Sequence, residues 1–124
     1  MSKQRMAPPP KTPNAVSTEA PPDDAEHHAE PVAFTTDADE AMAAVLVAVQ
    51  GLERAEIREQ DARYVRLVVT SRLLRFKDDV EFQVDEDAGL IHYRSASRVG
   101  SSDLGVNRKR MDGLTEVIRS QLRG

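Results

Sequence analysis

The sequence predicts a single α+β domain in which one antiparallel sheet carries two helices on one face, in the order β-α-β-β-β-β-α. Apolar residues recur at three- and four-residue steps between residues 38 and 52, and again between residues 111 and 122. This spacing is typical of helices with one buried face. From residue 63 to residue 93, apolar and polar residues alternate instead, which is typical of strands with one buried face.

Length and composition limit what the domain can be. A chain of 124 residues has room for one hydrophobic core. The net charge of −4 argues against a dedicated nucleic-acid binder, because such a protein presents an excess of Lys and Arg to phosphate groups. The absence of cysteine excludes disulfides, thiolate metal sites and cysteine nucleophiles.

The first 30 residues are rich in proline and in small and acidic residues, and they contain few large apolar side chains. Such a segment cannot bury enough apolar surface to offset its ordering entropy. We therefore predict a disordered tail over residues 1–30 and a domain over residues 31–124. His27 and His28 lie in this tail without the spacing that directs ligands at one metal ion, so we expect no metal or cofactor there.

A strand and a helix are predicted to follow the tail. Pro31–Phe34 is a short apolar run whose leading proline suits an edge strand. Thr36, followed three residues later by Asp39, predicts a helix N-terminus, because side-chain oxygens there accept hydrogen bonds from free backbone amides. Gly51 predicts its end. The residues predicted to face the core are Ala38, Met42, Val45, Val49 and Leu52.

Four antiparallel strands are predicted next. A short strand around Ile57 turns at residues 60–62 into a strand over residues 63–73. Alternation resumes around Phe82 and, after a turn over residues 85–89, around Tyr93. That turn resembles a calcium-binding loop, but Ala96 stands where the closing glutamate is needed, so we interpret it as a hairpin turn.

The last predicted helix spans residues 104–124, with Asp103 before it as a candidate N-cap. Basic side chains outnumber acidic ones along it. The complete element order is that of helix-grip and TATA-binding-protein-like domains, in which a curved antiparallel sheet carries helices on one face. A shared fold does not by itself indicate a function.

A row of charges is predicted on the exposed face of the sheet. Pairing across the turn at residues 85–90 places Glu81 opposite Arg94. A similar loop between the preceding strands places Arg72 on the other side of Glu81. Opposite charges across strands contribute about 0.2–1 kcal/mol each, so we interpret the row as fixing the register, with a ligand site as the alternative.

Apolar content falls sharply in residues 94–110, where serine, glycine and arginine are frequent. Backbone amides before a helix can converge on an anion, with Arg98, Arg108 or Arg110 supplying charge. The same residues can instead form a strand-to-helix corner in which Asp103 accepts those amides. We favour the corner, because Asp103 would occupy the position of the anion.

The residue types of a hydrolase triad occur in the same region, as His92, Ser95, Ser97 and Asp103. Successive side chains of a strand point to opposite faces, so both serines are predicted to lie with Tyr93 and away from His92. Triad chemistry built on this one strand is therefore not expected.

The sequence also resembles a known family. The resemblance is carried by residues 13–17, 71–73 and 78–82 and by a long final run containing IHYRSASRVG and SDLGVNR. These are similar to the pattern of a bacterial family described as domain of unknown function 1499. The resemblance implies that its pattern includes Asn14, Arg72, Asp79, Glu81, Arg94, Ser95, Ser97, Arg98, Gly100, Asp103, Gly105, Asn107 and Arg108.

The resemblance implies three further points. Residues 13–17 are expected to dock on the domain, against the disorder predicted from composition. The family has a cysteine where this chain has Ala15. Family members are often exported or membrane-associated, whereas this sequence shows neither a signal peptide nor a bilayer-spanning apolar stretch, so cytoplasmic residence is the expectation.

The sequence leaves three functions open. We favour a non-enzymatic binding or interaction module for an anionic ligand or a protein segment, without nucleic acid or a cofactor. The alternatives are a hydrolase-like enzyme with a His92 and Asp103 site, and a structural domain that joins a partner through a strand edge or a helix face. The predicted site residues of the binding module are Arg72, Glu81, Arg94, Arg98, Asp103, Asn107 and Arg108.

Overall fold

The computed structural model describes residues 6–8, 15–70, 76–98 and 106–123. These residues form two helices and one antiparallel sheet. In chain order the elements are β1 Ala15–Ser17, β2 Val32–Ala33, α1 Ala38–Gln50, β3 Ala55–Asp61, β4 Tyr64–Thr70, β5 Lys77–Asp85, β6 Leu90–Ser97 and α2 Val106–Arg123. The predicted fold class and the predicted order from β2 to α2 are confirmed, and β1 is an additional strand.

The sheet runs in the order β1-β6-β5-β4-β3, and β2 also pairs with β6. β1 pairs with residues 94–96 of β6, and β2 pairs with residues 90–91. Since β5 occupies the other edge of β6, the two short strands share one edge between them. Two separate segments of the N-terminal part of the chain thus complete the sheet.

Both helices pack on one face of the sheet. α1 contacts α2 and β5, while α2 also contacts β6 and β1. Alternate residues of β4, β5 and β6 bury their side chains beneath the helices, as the two-residue alternation predicts. The largest fully buried side chains are Phe82, Leu67, Ile91, Met111 and Ile118.

The ends of α1 are set by two residues. Asp37 is the N-cap, and its carboxylate accepts a hydrogen bond of 2.8 Å from the backbone amide of Glu40. The prediction from Thr36 therefore placed the cap one residue too early. Gly51 ends the helix as predicted. The predicted N-cap of the last helix, Asp103, lies outside the described residues, and α2 begins at Val106 in the structure.

Residues 15–30 differ from the disordered tail that composition predicts. β1 adds to the free edge of β6, and Val16 is 2% exposed within the core. The backbone amide of Ser17 also donates to the carbonyl oxygen of His27 at 2.8 Å. An unpaired strand edge offers free backbone groups, and pairing with it offsets the low apolar content of the segment. The docking implied by the family resemblance agrees with β1, while residues 13 and 14 lie outside the described part of the chain.

The register of β5 differs in part from the prediction. Glu81 lies opposite Arg94 of β6, as predicted, and Asp85 lies opposite Leu90. On its other side Glu81 lies opposite Arg66 of β4, so the prediction that Arg72 is its neighbour is wrong. The pairing of β4 with β5 runs from Tyr64 opposite Gln83 to Thr70 opposite Lys77, a register that brings Arg66 to Glu81. Arg72 itself falls in a segment that the structure does not describe.

Candidate functional site

The face of the sheet opposite the helices, which we term the outer face, carries Glu81 and Arg94. The prediction that this row is exposed is wrong at its centre, because Glu81 is only 4% exposed. Residues 6–8 of the N-terminal segment lie against it, and Met6 is itself 4% exposed. The part of the outer face around Glu81 is therefore covered by a segment that composition predicts to be disordered.

One backbone group from each of three consecutive residues is bound on the outer face. The amide of Met6 donates to Gln83 Oε1 at 3.3 Å, and the amide of Ala7 donates to Glu81 Oε2 at 3.2 Å. The carbonyl oxygen of Pro8 accepts a hydrogen bond of 3.1 Å from Arg94 Nε. Side chains of β5 and β6 thus bind this segment through its backbone groups.

Further contacts hold Glu81 in place beneath the segment. Tyr64 donates its hydroxyl to Glu81 Oε2 at 2.7 Å, and Arg94 Nη1 lies 3.5 Å from Glu81 Oε1. Burial, followed by the bond to Glu81, raises the pKa of Tyr64 well above its ordinary value. The phenol therefore remains protonated and remains a donor to the carboxylate at physiological pH.

Other charged side chains of the outer face also form ion pairs with one another. Arg98 makes two hydrogen bonds of 2.9 Å to the carboxylate of Asp79. This contact is the main reason that the pKa of Asp79 lies below its ordinary value. Arg66 bonds Glu59 at 2.9 Å and lies 3.6 Å from Asp79. Arg66, Arg94 and Arg98 of this face are therefore already engaged by carboxylates.

A second group of polar residues lies on the helix-bearing face, beneath the start of α2. We term it the α2 polar cluster, and its members are Asp78, Ser95, Ser97, Asn107 and Arg110. Arg110 Nη1 lies 2.8 Å from Asp78 Oδ2 and donates to Asn107 Oδ1 at 3.0 Å. Both charged side chains are almost completely buried, at 12% and 7% exposure. The pair joins α2 to β5.

The uncharged members complete the cluster. Ser97 donates to Asp78 Oδ1 at 2.6 Å, and Ser95 donates to Asn107 Oδ1. Asn107 Nδ2 in turn donates to Ser97 at 3.3 Å. Every member is bonded to other members, so the cluster joins β5 and β6 to α2. The corner predicted around Asp103 lies outside the described residues. The sequence prediction includes Asn107 but not Asp78. Asp78 lies two positions before the inward-facing Val80 on β5, so alternation alone places this charged side chain on the inward face.

Arg108 binds a different part of the chain. Its Nη2 lies 3.5, 3.2 and 3.0 Å from the carbonyl oxygens of Ala25, Glu26 and His28. The guanidinium therefore fixes the turn that precedes β2.

Of the predicted site residues, the structure places three on the outer face and two on α2. The outer-face residues are Glu81, Arg94 and Arg98, the α2 residues are Asn107 and Arg108, and Arg72 and Asp103 lie outside the described residues.

The catalytic alternative involves His92. Its Nδ1 lies 3.0 Å from Thr18 Oγ1 and 3.5 Å from Glu19 Oε1. Ser95 is buried on the other face of the sheet, bonded to Asn107. The prediction that His92 and the serines of β6 do not meet is confirmed. Thr18 Oγ1 is also within hydrogen-bonding distance of the backbone of Tyr93, so it is held as a structural contact.

Comparison with known families gives one result. A family model described as "Protein of unknown function (DUF1499)" matches residues 5–118. The chain belongs to this family. The match with DUF1499 covers the outer face, the α2 polar cluster and residues 6–8 alike. No curated protein shows a significant match to the chain.

Two further observations concern this DUF1499 protein. Ala15, at the position where the resemblance implies a family cysteine, is buried in β1 opposite Ala96. Among the described residues no helix is both long enough and apolar enough to span a membrane.

Proposed function

We propose that the domain is a non-enzymatic binding module whose outer face holds a protein segment by its backbone. The observation that supports this is the binding of three consecutive residues, Met6–Pro8, by side chains of β5 and β6. Contacts to the backbone supply affinity for many sequences, and a buried position for one side chain supplies selectivity. In this chain the buried side chain is that of Met6.

The chemistry of the outer face favours a protein segment over a free anion. Glu81 and Gln83 present acceptors to amide groups, and Arg94 presents a donor to a carbonyl oxygen. This combination supplies partners for both kinds of backbone group, the N–H donor and the carbonyl acceptor. An anion would instead have to displace the carboxylates that engage Arg94 and Arg98.

Residues 6–8 occupy the site as an internal ligand in this proposal. A segment of another protein competes with them, and the internal segment has the advantage of an effective concentration on the order of millimolar. Binding of an external segment is therefore expected to become measurable when the internal one is weakened. A Met6→Asp substitution weakens it, because an aspartate is costly to bury at a position that is 4% exposed.

The test uses the full-length Met6→Asp variant, labelled for NMR, and an unlabelled peptide with the natural sequence of residues 1–14. We expect saturable shifts of the Gln83 side-chain amide and of the Arg94 Nε–H group as the peptide is added. The wild-type chain is expected to show much weaker shifts, because its own segment occupies the face.

A matched pair of controls separates the site from the rest of the outer face. Adding Arg94→Gln to Met6→Asp removes the donor to Pro8 and is expected to weaken peptide binding about tenfold. Adding Arg98→Gln, which lies on the same face but contacts Asp79, is expected to leave binding unchanged. The absence of saturable shifts in Met6→Asp, or equal binding by both double variants, would overturn the proposal.

A further inference from the structure

A hollow of about 270 Å³ lies on the helix side of the domain, between α2 and the residues that precede β2. Residues at helical spacing on α2 form one wall, including Arg108, Asp112 and Arg119. His28 and Glu30 line it from the chain segment before β2. This hollow is separate from the outer face, which lies on the other side of the sheet.

The two arginines of the hollow differ from those of the outer face. Arg108 is bonded to backbone carbonyl oxygens, which carry no formal charge. Arg119 donates to Thr115 Oγ1 at 3.4 Å. Within the part of the chain that the structure describes, neither guanidinium has a carboxylate oxygen within ion-pair distance. The walls of this hollow thus carry two positive charges that have no carboxylate partner among the described residues.

Local contacts orient Arg119. Thr115 Oγ1 donates to the carbonyl oxygen of Asp112 at 3.2 Å, which leaves its oxygen to accept from Arg119. Tyr93 donates its hydroxyl to the carbonyl oxygen of Glu30 at 2.9 Å and closes the inner side of the hollow. The bond to Thr115 therefore orients the guanidinium of Arg119. Its other N–H groups make no hydrogen bond among the described residues.

The acidic residues of the hollow reduce its positive potential without neutralising the arginines. Glu30 bonds His28 Nε2 at 3.1 Å, and its carboxylate is largely in solvent. Asp112 is exposed and forms no ion pair among the residues described. It therefore acts on a bound anion as a like charge that is screened by water.

We propose that this hollow is a binding site for a small oxyanion, such as the phosphate or carboxylate group of a metabolite, held by Arg108 and Arg119. Planar guanidinium groups bind such oxyanions through paired N–H donors. A volume of about 270 Å³ accommodates a group of this size with part of the molecule that carries it. The proposal is independent of segment binding on the outer face.

The test is a titration of the full-length protein, labelled for NMR, with sodium sulfate and separately with sodium acetate at constant ionic strength. Sulfate represents tetrahedral phosphate groups with a charge that does not change near neutral pH, and acetate represents carboxylates. We expect saturable shifts of the Arg108 and Arg119 Nε–H signals with at least one of them, and the stronger binder identifies the class of oxyanion.

Three variants make the result specific to the hollow. Arg119→Gln is expected to weaken binding at least about tenfold, whereas Arg123→Gln, one turn further along α2 and exposed, is expected to leave it unchanged. Asp112→Asn is expected to strengthen binding a few-fold, because it removes the like charge. A failure of both anions to give saturable shifts would overturn the proposal. Equal binding by Arg119→Gln and the wild type would overturn it as well.

Discussion

Asp79 shows how a single contact sets the charge of the outer face. Its carboxylate receives two hydrogen bonds from Arg98 and lies near Arg66. The ionised form is favoured by both guanidinium groups, and the pKa of Asp79 is therefore below its ordinary value of 3.8. A carboxylate with a lowered pKa stabilises the folded protein at pH values above its ordinary pKa. This stabilisation is lost as pH falls through the lowered pKa.

We predict that Arg98→Gln moves the pKa of Asp79 upward towards 3.8. The measurement is an NMR titration of the side-chain carboxyl carbon in the wild type and the variant. The difference in the free energy of unfolding between the wild type and the variant is expected to shrink as pH falls from 3.8 through the lowered pKa of Asp79, because Asp79 is then protonated in both. A pKa of Asp79 that does not change on substitution would contradict the assigned cause.

Arg110 and Asp78 form an ion pair in which both side chains are almost completely buried. Removal of one partner from such a pair leaves the other charge buried without compensation, at a cost of about 3 kcal/mol or more. We predict this loss in the free energy of unfolding for Arg110→Met, measured by urea denaturation. Arg123→Met is the control, because its exposed pair with Glu116 is expected to contribute less than about 1 kcal/mol. Similar losses in both variants would contradict the account.

Alternation in sequence predicts which face a residue lies on, but it does not fix the register. The positions of Arg66 and Arg72 differ by an even number, so alternation allows either side chain to lie on the outer face next to Glu81. The choice between them depends on where the connection after β4 begins, and the sequence carries no strong turn signal there. Alternation along β5 is sufficient to identify Asp78 as a charged residue at an inward position.

The elements differ in how strongly the sequence specifies them. α1, α2 and strands β4 to β6 follow from periodicity, because each has one buried face. β1 has three residues, too few to show a period, and the proline-rich surroundings point away from order. Its strand conformation arises from pairing with the edge of β6 and from the burial of Val16, which are properties of the tertiary structure.

We predict that Val16→Ala lowers the free energy of unfolding by about 2 kcal/mol, because two buried methyl groups are removed from the core. The measurement is chemical denaturation of the full-length chain. Val47→Ala is the matched control, since Val47 is exposed on α1 and its truncation is expected to change stability by less than about 0.5 kcal/mol. No loss in Val16→Ala would show that residues 15–17 are not part of the domain in solution.

At the scale of the whole molecule, the chain covers its sheet on both sides. The helices cover one face, and residues 6–8 lie on part of the other. The sequence predicts the first of these layers from helical periodicity. It does not predict the second, because residues 6–8 are held through backbone groups that every sequence possesses. For this reason the sequence predicts the outer-face part of the candidate site as a charged row, without the segment that lies on it.

The most direct test of this account is the hydrogen-exchange rate of the Ala7 backbone amide in the full-length protein. The amide donates to Glu81 Oε2, so we predict that it exchanges at least about tenfold more slowly than in an unstructured chain. In Met6→Asp the protection is expected to disappear while β5 and β6 remain protected. Exchange of the wild-type Ala7 amide at the rate of an unstructured chain would contradict the binding of residues 6–8 on the outer face.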